Sequence, residues 1–127
     1  MMTINSYEDL IVWQKSIDFV AKIYEITQNL PREETYGLTD QIRRAAVSIP
    51  SNIAEGQQRQ STRDFLKFLA IAKGSLGEVK TQLIICRRLG YLNDKQTEPL
   101  LNECDVIGKM LNGLMKNLMN RPQATSH

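Results

Sequence analysis

Apolar residues recur at alternating steps of three and four along the first part of the chain, from Tyr7 to about Gln28. That spacing places side chains on one face of an α-helix. The positions concerned are Leu10, Trp13, Ile17, Val20, Tyr24 and Thr27. The segment Asn29-Leu30-Pro31 predicts the end of this helix, because proline disfavours the helical conformation in the residue before it.

A second segment, from about Leu38 to Glu55, carries one apolar stripe. The stripe consists of Leu38, Ile42, Ala46, Ile49 and Ile53. Pro50 lies inside the segment, and a proline there removes one helical hydrogen bond and clashes with the carbonyl of Ala46. We therefore expect one helix that is kinked at Pro50, and we expect Gly56 to end it.

The third segment has the most regular pattern, with alternating steps of four and three over three heptads. Its apolar positions are Phe65, Leu69, Ala72, Leu76, Val79, Leu83 and Cys86. A cap at Ser61 and a stop at Leu89-Gly90 bound a predicted helix from Thr62 to Arg88.

The fourth segment repeats this spacing, and its start has two interpretations. The apolar positions are Leu100, Cys104, Ile107, Leu111, Leu114 and Leu118. Asn93 with Gln96 would form a capping box, whereas Pro99 fits best in a first helical turn. The predicted helix therefore begins anywhere from Asp94 to Glu98.

Four striped helices with short connections predict an all-α fold. We expect an up-down-up-down antiparallel four-helix bundle with left-handed crossing angles near 20°. We expect one domain over residues 1–119, followed by a flexible C-terminal tail at 120–127, which has no apolar pattern.

The third helix carries a second stripe, more than 100° from its core stripe. This stripe comprises Leu66, Ala70, Gly74, Gly77, Thr81 and Ile84. Each helical glycine costs about 1 kcal/mol relative to alanine, and close approach of another helix would explain two of them. That helix could belong to another subunit or lie diagonally in the same bundle, or the glycines could be neutral surface residues. On the second helix, Val47 and Ala54 also lie off the core stripe.

Composition supports a helical globular chain without adding a function. Hydrophobic residues make up 42%, charged residues 24% and aromatic residues only 6%. No apolar run approaches the ~20 residues of a membrane span, and the N-terminus lacks the pattern of a secretion signal. We therefore expect a cytoplasmic protein without a membrane partner, with Cys86 and Cys104 as buried thiols.

The charges are unevenly distributed although the net charge is only +2. Residues 41–90 hold nine basic and three acidic residues, a net charge of +6, and the remainder carries −4. Arginine binds phosphate with two parallel hydrogen bonds, so this region predicts a nucleic-acid surface. Its candidate residues are Arg43, Arg44, Arg59, Arg63, Lys67, Arg87 and Arg88. Alternatively, these side chains are solvated or paired with Asp40, Glu55 and Asp64.

The sequence offers no pattern typical of an enzyme. The one histidine, His127, falls on the predicted tail, which excludes a Glu-x-x-His di-metal site and a histidine-activated nucleophile in the ordered chain. The two cysteines lack Cys-x-x-Cys spacing, and no Gly-x-x-x-x-Gly-Lys-Ser/Thr phosphate loop occurs. We predict no catalytic residue, no metal and no cofactor.

Three stretches closely resemble a known family. They are Tyr7-Glu8-Asp9-Leu10 with Val12-Trp13-Gln14-Lys15, then Tyr36-Gly37-Leu38-Thr39 with Gln41-Ile42-Arg43-Arg44-Ala45-Ala46, and Ser48-Ile49-Pro50-Ser51-Asn52-Ile53-Ala54-Glu55-Gly56. The family is that of the four-helix-bundle proteins encoded in intervening sequences of bacterial large-subunit ribosomal RNA, and the likeness covers about residues 7 to 119.

This resemblance implies a homopentameric ring and a relationship to the accessory proteins of diversity-generating retroelements, which bind nucleic acid and a reverse transcriptase. The candidate partners are therefore further copies of the chain, RNA or DNA, and a reverse transcriptase or other protein. Asn52 and Glu55 of the motif could join a hydrogen-bond network between subunits, or Asn52 could bond the carbonyl that Pro50 leaves free. The predicted subunit interface comprises Val47, Asn52, Ala54, Glu55, Leu66, Ala70, Gly74, Gly77 and Thr81.

Two functions from different classes follow. The first is a non-enzymatic homo-oligomer that binds RNA or other nucleic acid through the basic surface. The second is an oligomeric protein scaffold whose arginines serve solubility and subunit contacts.

Overall fold

The computed structural model describes residues 6–121. It contains four α-helices, named α1 (Ile11–Thr27), α2 (Leu38–Gln58), α3 (Thr62–Arg88) and α4 (Asp94–Met119). Short 3-10 turns at Tyr7–Asp9 and Arg32–Glu34 precede α1 and α2, and no strand occurs in the described range. The prediction of an all-helical chain with four helices is confirmed. The predicted tail at 120–127 lies outside the described residues from residue 122 onward.

Each helix packs against the helix next to it in the chain, and α1 also contacts α4. The most extensive of these contacts joins α2 to α3. All four helices supply side chains to one hydrophobic core, which holds Phe19, Ile23, Ile42, Ile49, Ile53, Leu69, Leu83, Ile107 and Leu111 fully buried. This arrangement is that of a four-helix bundle.

Side-chain caps fix the starts of the last two helices. The Ser61 hydroxyl accepts a hydrogen bond from the backbone N–H of Asp64 at 3.0 Å, as its sequence predicts. Asn93 and Gln96 form a reciprocal capping box with distances of 2.9 and 2.8 Å. The capping box therefore decides between the two predicted starts of α4, and Pro99 lies inside the helix.

The predicted face of α1 is not its buried face. The buried residues of α1 are Val12, Ser16, Phe19, Ile23 and Thr27. Apart from Thr27, which belongs to both stripes, the buried positions are offset by one residue, about 100°, from the predicted ones. Ser16 and Thr27 are polar, but their hydroxyls donate to the carbonyls of Trp13 and Ile23 at 2.8 and 2.6 Å, so they enter the core with their hydrogen bonds satisfied.

The predicted end of α2 at Gly56 is wrong. The helix continues to Gln58, and Gly56 is buried within it. A Cβ at Gly56 would lie 2.7 Å from the Cβ of Phe68 and 3.0 Å from the Cδ1 of Phe65, both on α3. The glycine therefore permits close approach of two helices, whereas the stop after α3 at Gly90 has a φ of +78°, which favours glycine.

Candidate nucleic-acid and subunit surfaces

The basic residues predicted to bind nucleic acid do not form one cluster in a single chain. Arg63 and Lys67 lie in the first two turns of α3, and Arg87 and Arg88 are its last residues. At 1.5 Å per residue, Arg63 and Arg87 stand roughly 36 Å apart along the helix axis. Any one ligand that contacts both groups must span the length of the helix.

Arg43 contacts its own chain rather than projecting into solvent. Its Nε donates to the Thr27 hydroxyl at 2.8 Å, and a terminal nitrogen donates to the carbonyl of Tyr24 at 3.2 Å. The guanidinium also lies 4.6 Å from the centre of the Tyr24 ring. Arg43 thus joins α2 to the end of α1, a role that the sequence did not indicate.

Three further members of the predicted set form ion pairs within the chain. Arg44 contacts Asp40 at 2.9 Å and Arg59 contacts Glu55 at 3.1 Å, as the alternative interpretation of these arginines predicts. The Arg87 guanidinium lies 3.7 Å from carboxylate oxygens of both Asp94 and Glu98. Exposed pairs of this kind contribute about 0–1 kcal/mol, so they tie up these side chains only weakly.

Arg63, Lys67 and Arg88 remain available. They are exposed, and no carboxylate of residues 6–121 lies within 4.0 Å of their charged nitrogens. On a 100° helical wheel they share the outward side of α3 with Ala70, Gly74 and Thr81. The alternative in which Asp64 pairs with one of these basic side chains is not seen within residues 6–121.

The small residues of α3 that were assigned to a subunit interface face outward. Ala70, Gly74, Gly77 and Thr81 are exposed, and Leu66 is half-buried. A Cβ added at Gly74 or Gly77 would meet nothing within 4 Å. The alternative in which this stripe packs on a diagonal helix of the same bundle is therefore wrong.

The α2 members of the predicted interface lie in two places. Val47 and Ala54 line an apolar groove of about 530 Å³ between α1 and α2. The other lining residues are Tyr7, Trp13, Ile17, Val20, Ala21, Tyr24, Pro50 and Ser51. Trp13, Ile17, Val20 and Tyr24 of the stripe predicted on α1 thus form one wall of this groove, a connection that the separate patterns of α1 and α2 could not reveal.

Asn52 bonds within its own chain. Its amide donates to the carbonyl and the hydroxyl of Ser48 at 2.8 and 2.9 Å, and that hydroxyl lies 2.8 Å from the hydroxyl of Ser75 on α3. The carbonyl it bonds is not that of Ala46, so the predicted compensation for Pro50 is wrong. A role of Asn52 and Glu55 between subunits stays a prediction.

A second groove, which the sequence did not suggest as a site, lies between α3 and α4. It measures about 380 Å³ and is lined by Lys73, Leu76, Gly77, Lys80, Cys104, Asp105, Gly108, Lys109 and Asn112. Within it, the Lys80 ammonium donates to Asp105 at 2.9 Å, and this hydrogen bond raises the pKa of Lys80.

Neither thiol is prepared for nucleophilic chemistry. Both are buried, as predicted, and burial raises the pKa of Cys86 to about 11 and that of Cys104 to about 12. A reactive cysteine requires the thiolate, which these surroundings disfavour. Among residues 6–121, no three His, Cys, Asp or Glu side chains are grouped as a metal site. In the same range, no helix is long and apolar enough to cross a membrane.

The chain is a four-helix-bundle protein. It has an apolar groove between α1 and α2 and exposed basic side chains on α3. The chain belongs to the 23S rRNA-intervening sequence protein family, whose sequence profile matches residues 8–113. This finding confirms the resemblance that the motifs indicate.

A solved structure shares the fold. It is the crystal structure, at 1.70 Å resolution, of a protein of unknown function from the S23 ribosomal protein family of Bacteroides thetaiotaomicron VPI-5482. It is similar to this chain with a TM-score of 0.78 and 32% sequence identity, covering 84% of this chain and 99% of that one. No curated protein sequence matches the chain.

Proposed function

We propose that this protein is a non-enzymatic homo-oligomer that binds RNA or other nucleic acid through basic side chains of α3. The observation that carries the proposal is the outward position of Arg63, Lys67 and Arg88, none of which has a carboxylate contact within residues 6–121. Unpaired cations on one helix face give salt-dependent affinity for phosphates. Assembly as a ring multiplies this charge, and a pentamer is the assembly that the family resemblance implies.

The proposed bundle is up-down-up-down. Contacts between consecutive helices support this order, because they show that neighbouring helices run antiparallel. Between α2 and α3, Ser48 contacts Ser75, whereas Gly56, further along α2, lies against Phe65 and Phe68, earlier on α3. Between α3 and α4, Lys80 contacts Asp105, whereas Arg87, further along α3, lies near Asp94, earlier on α4. A kink of α2 at Pro50 and a cytoplasmic location belong to the same proposal.

The α1–α2 groove is the proposed surface for self-association. Ile17, Tyr24 and Val47 around it are 41, 42 and 39% exposed. Apolar side chains grouped on a surface and rimmed by polar residues mark sites where another protein surface binds. A second copy of the chain would cover them.

Light scattering on two matched variants tests self-association. Val47→Lys places a charge in the groove and is expected to lower the oligomer mass. Val106→Lys places the same charge on another exposed valine, 46% exposed and outside the groove, and is expected to leave the mass unchanged. A wild-type protein with the mass of a monomer would contradict the proposal.

Titration of labelled RNA and duplex DNA over a range of salt concentrations tests nucleic-acid binding. The variant Arg63→Gln/Lys67→Gln/Arg88→Gln should bind more weakly and reduce the slope of log affinity against log salt by about 2. The control Lys15→Gln/Arg32→Gln/Lys95→Gln removes the same charge from other exposed positions and should change neither strongly. Absence of wild-type binding even at low salt would contradict the proposal.

A second candidate function is that of an oligomeric scaffold for a reverse transcriptase or another protein. The intrachain contacts of Arg43, Arg44, Arg59 and Arg87 favour it, because they leave only three members of the predicted basic set without a partner in the described chain. An oligomer that fails to bind nucleic acid at low salt would support this scaffold role.

A further inference from the structure

The contact between α3 and α4 has two halves of different charge. In one half, Lys80 pairs with Asp105, and Arg87 lies near Asp94 and Glu98. The α4 sequence explains this, because residues 94–105 hold four acidic and one basic residue, whereas 106–121 hold three basic and no acidic residues. Residues 106–121 of α4 therefore face α3 without a carboxylate, and the one carboxylate that lines the groove, Asp105, is paired with Lys80.

Two lysines project into the groove in this second half from opposite walls, Lys73 on α3 and Lys109 on α4. Both are exposed, and neither has a carboxylate within 4.0 Å in the described chain. Like charges that share one groove disfavour each other, so an anion placed between them would be stabilised by both. Asn112 on the same wall as Lys109 adds an amide donor.

Two glycines, Gly77 on α3 and Gly108 on α4, keep the groove open. Neither is required for the close approach of the two helices. A Cβ at Gly77 would meet nothing within 4 Å, and one at Gly108 would lie 3.5 Å from the Cδ2 of Leu76, an ordinary van der Waals distance. Larger side chains at either position would narrow the approach to Lys73 and Lys109.

We propose that this α3–α4 groove binds the phosphates of a nucleic-acid strand through Lys73 and Lys109. The inference rests on the proposed function, and it adds a surface outside the predicted arginine set. A lysine ammonium is a compact charge that contacts backbone phosphate without reading a base, so the groove would position a strand without selecting its sequence. The site is an open groove between two long helices, not an enclosed pocket. It therefore fits an extended polyanion better than a single phosphate ion.

The test compares two double variants in a titration of labelled single-stranded oligouridylate. Lys73→Gln/Lys109→Gln should weaken binding roughly tenfold near physiological salt and reduce the salt slope by about 1 to 2. Lys15→Gln/Lys95→Gln removes the same charge from exposed lysines outside the groove and should retain wild-type affinity and slope. Circular dichroism should give the same helix content for all three proteins.

Lysine footprinting on the wild-type protein provides a readout independent of the variants. Reductive methylation in the presence of the oligouridylate should leave Lys73 and Lys109 protected, with Lys15 and Lys95 fully modified. Protection of the groove lysines by inorganic phosphate alone, at equal ionic strength, would overturn the assignment to a strand.

The failures can be told apart. Wild-type protein that binds no nucleic acid at low salt overturns the proposed function together with the groove. Wild-type binding that both double variants weaken equally, or that leaves Lys73 and Lys109 unprotected, overturns the groove alone and leaves the outward face of α3 as the binding surface.

Discussion

The two long contacts that α3 makes, with α2 on one side and with α4 on the other, use glycine in opposite ways. Gly56 of α2 lies where a Cβ would be 2.7 Å from Phe68, so the glycine is the condition for close contact. Gly77 and Gly108 border the α3–α4 groove, where a Cβ meets open space or ordinary contact distances. Glycine therefore permits close packing between α2 and α3, whereas between α3 and α4 it leaves space for a groove.

The polar residues at the two contacts differ as well. The α2–α3 contact holds the hydroxyls of Ser48 and Ser75, 2.8 Å apart and half-buried to buried. The α3–α4 contact holds exposed ion pairs and unpaired lysines. Buried hydrogen bonds fix the geometry of a contact, whereas exposed charges adapt to solvent or to a ligand.

The largest effect is expected from Gly56→Ala. The added methyl group would overlap Phe65 and Phe68, and overpacking costs about 1–3 kcal/mol, which exceeds the gain of about 1 kcal/mol in helix propensity. We expect the free energy of unfolding in urea to fall by up to about 2 kcal/mol. A free energy of unfolding equal to or above that of wild type would mean that α2 and α3 move apart to accommodate the methyl group, so that Gly56 is not required for their packing.

The depth of the α3–α4 groove can be tested with Cys104, which lines it yet is only 2% exposed. Because burial raises the pKa of Cys104 to about 12, the native thiol should resist iodoacetamide at pH 8 and react at once in denaturant. Rapid alkylation of the native protein would show that the groove opens down to the core.

The same thiols make stability depend on pH in the alkaline range. Their pKa values rise from an ordinary 9.0 to about 11 for Cys86 and about 12 for Cys104, so the folded state retains the protons. This contribution is fully present below pH 9 and is lost as the pH rises to about 11 to 12. Cys104→Ala should unfold with a shallower pH dependence than wild type across that window.

Removing an orphaned oxygen is expected to stabilise α3 in its core. Gln82 is buried, and its Oε1 has no hydrogen-bond partner in the described chain. Such a group costs about 1–3 kcal/mol, so Gln82→Met, which has similar volume without the amide, should raise the free energy of unfolding by about 1 kcal/mol. Ser75→Ala is the contrasting variant, since it leaves Ser48 with one partner fewer and should lower stability.

The smallest effect is expected from Gly74→Ala, the counterpart of Gly56→Ala. Nothing lies within 4 Å of the added Cβ, so the helix-propensity gain of about 0.5–1 kcal/mol should appear in full. Urea denaturation of the wild-type protein and the variant measures it. A loss of stability would indicate that another surface packs against this face, as the sequence-based prediction of a subunit contact at Gly74 requires.

Local sequence signals gave the helices with few errors. The capping residues Ser61 and Asn93 and the stripes of α3 and α4 depend on neighbours three and four residues away, and such neighbours are visible in the sequence. The predicted face of α1 differs from the buried one in part because Ser16 is polar in the sequence, yet its hydroxyl is satisfied on the carbonyl of Trp13, so hydrophobicity does not mark it as a core residue.

The candidate surfaces depended more on distant parts of the chain. Arg43 was assigned to a nucleic-acid surface, but its partners are Tyr24 and Thr27 on another helix. The sequence does not pair Lys73 with Lys109, because the two lysines belong to segments with opposite net charge. A charge count over consecutive residues cannot show which side chains meet across two helices.

The position of Arg43 has a consequence for how the molecule opens locally. No basic residue lies in the last turn of α1, where a cation would offset the partial negative charge of the helix end. Arg43 supplies that cation from α2, and it donates to the Tyr24 carbonyl, which also accepts from the Thr27 hydroxyl at 3.2 Å. The last turn of α1 therefore cannot fray independently of α2, and its amide protons should exchange with solvent in step with those of the second helix.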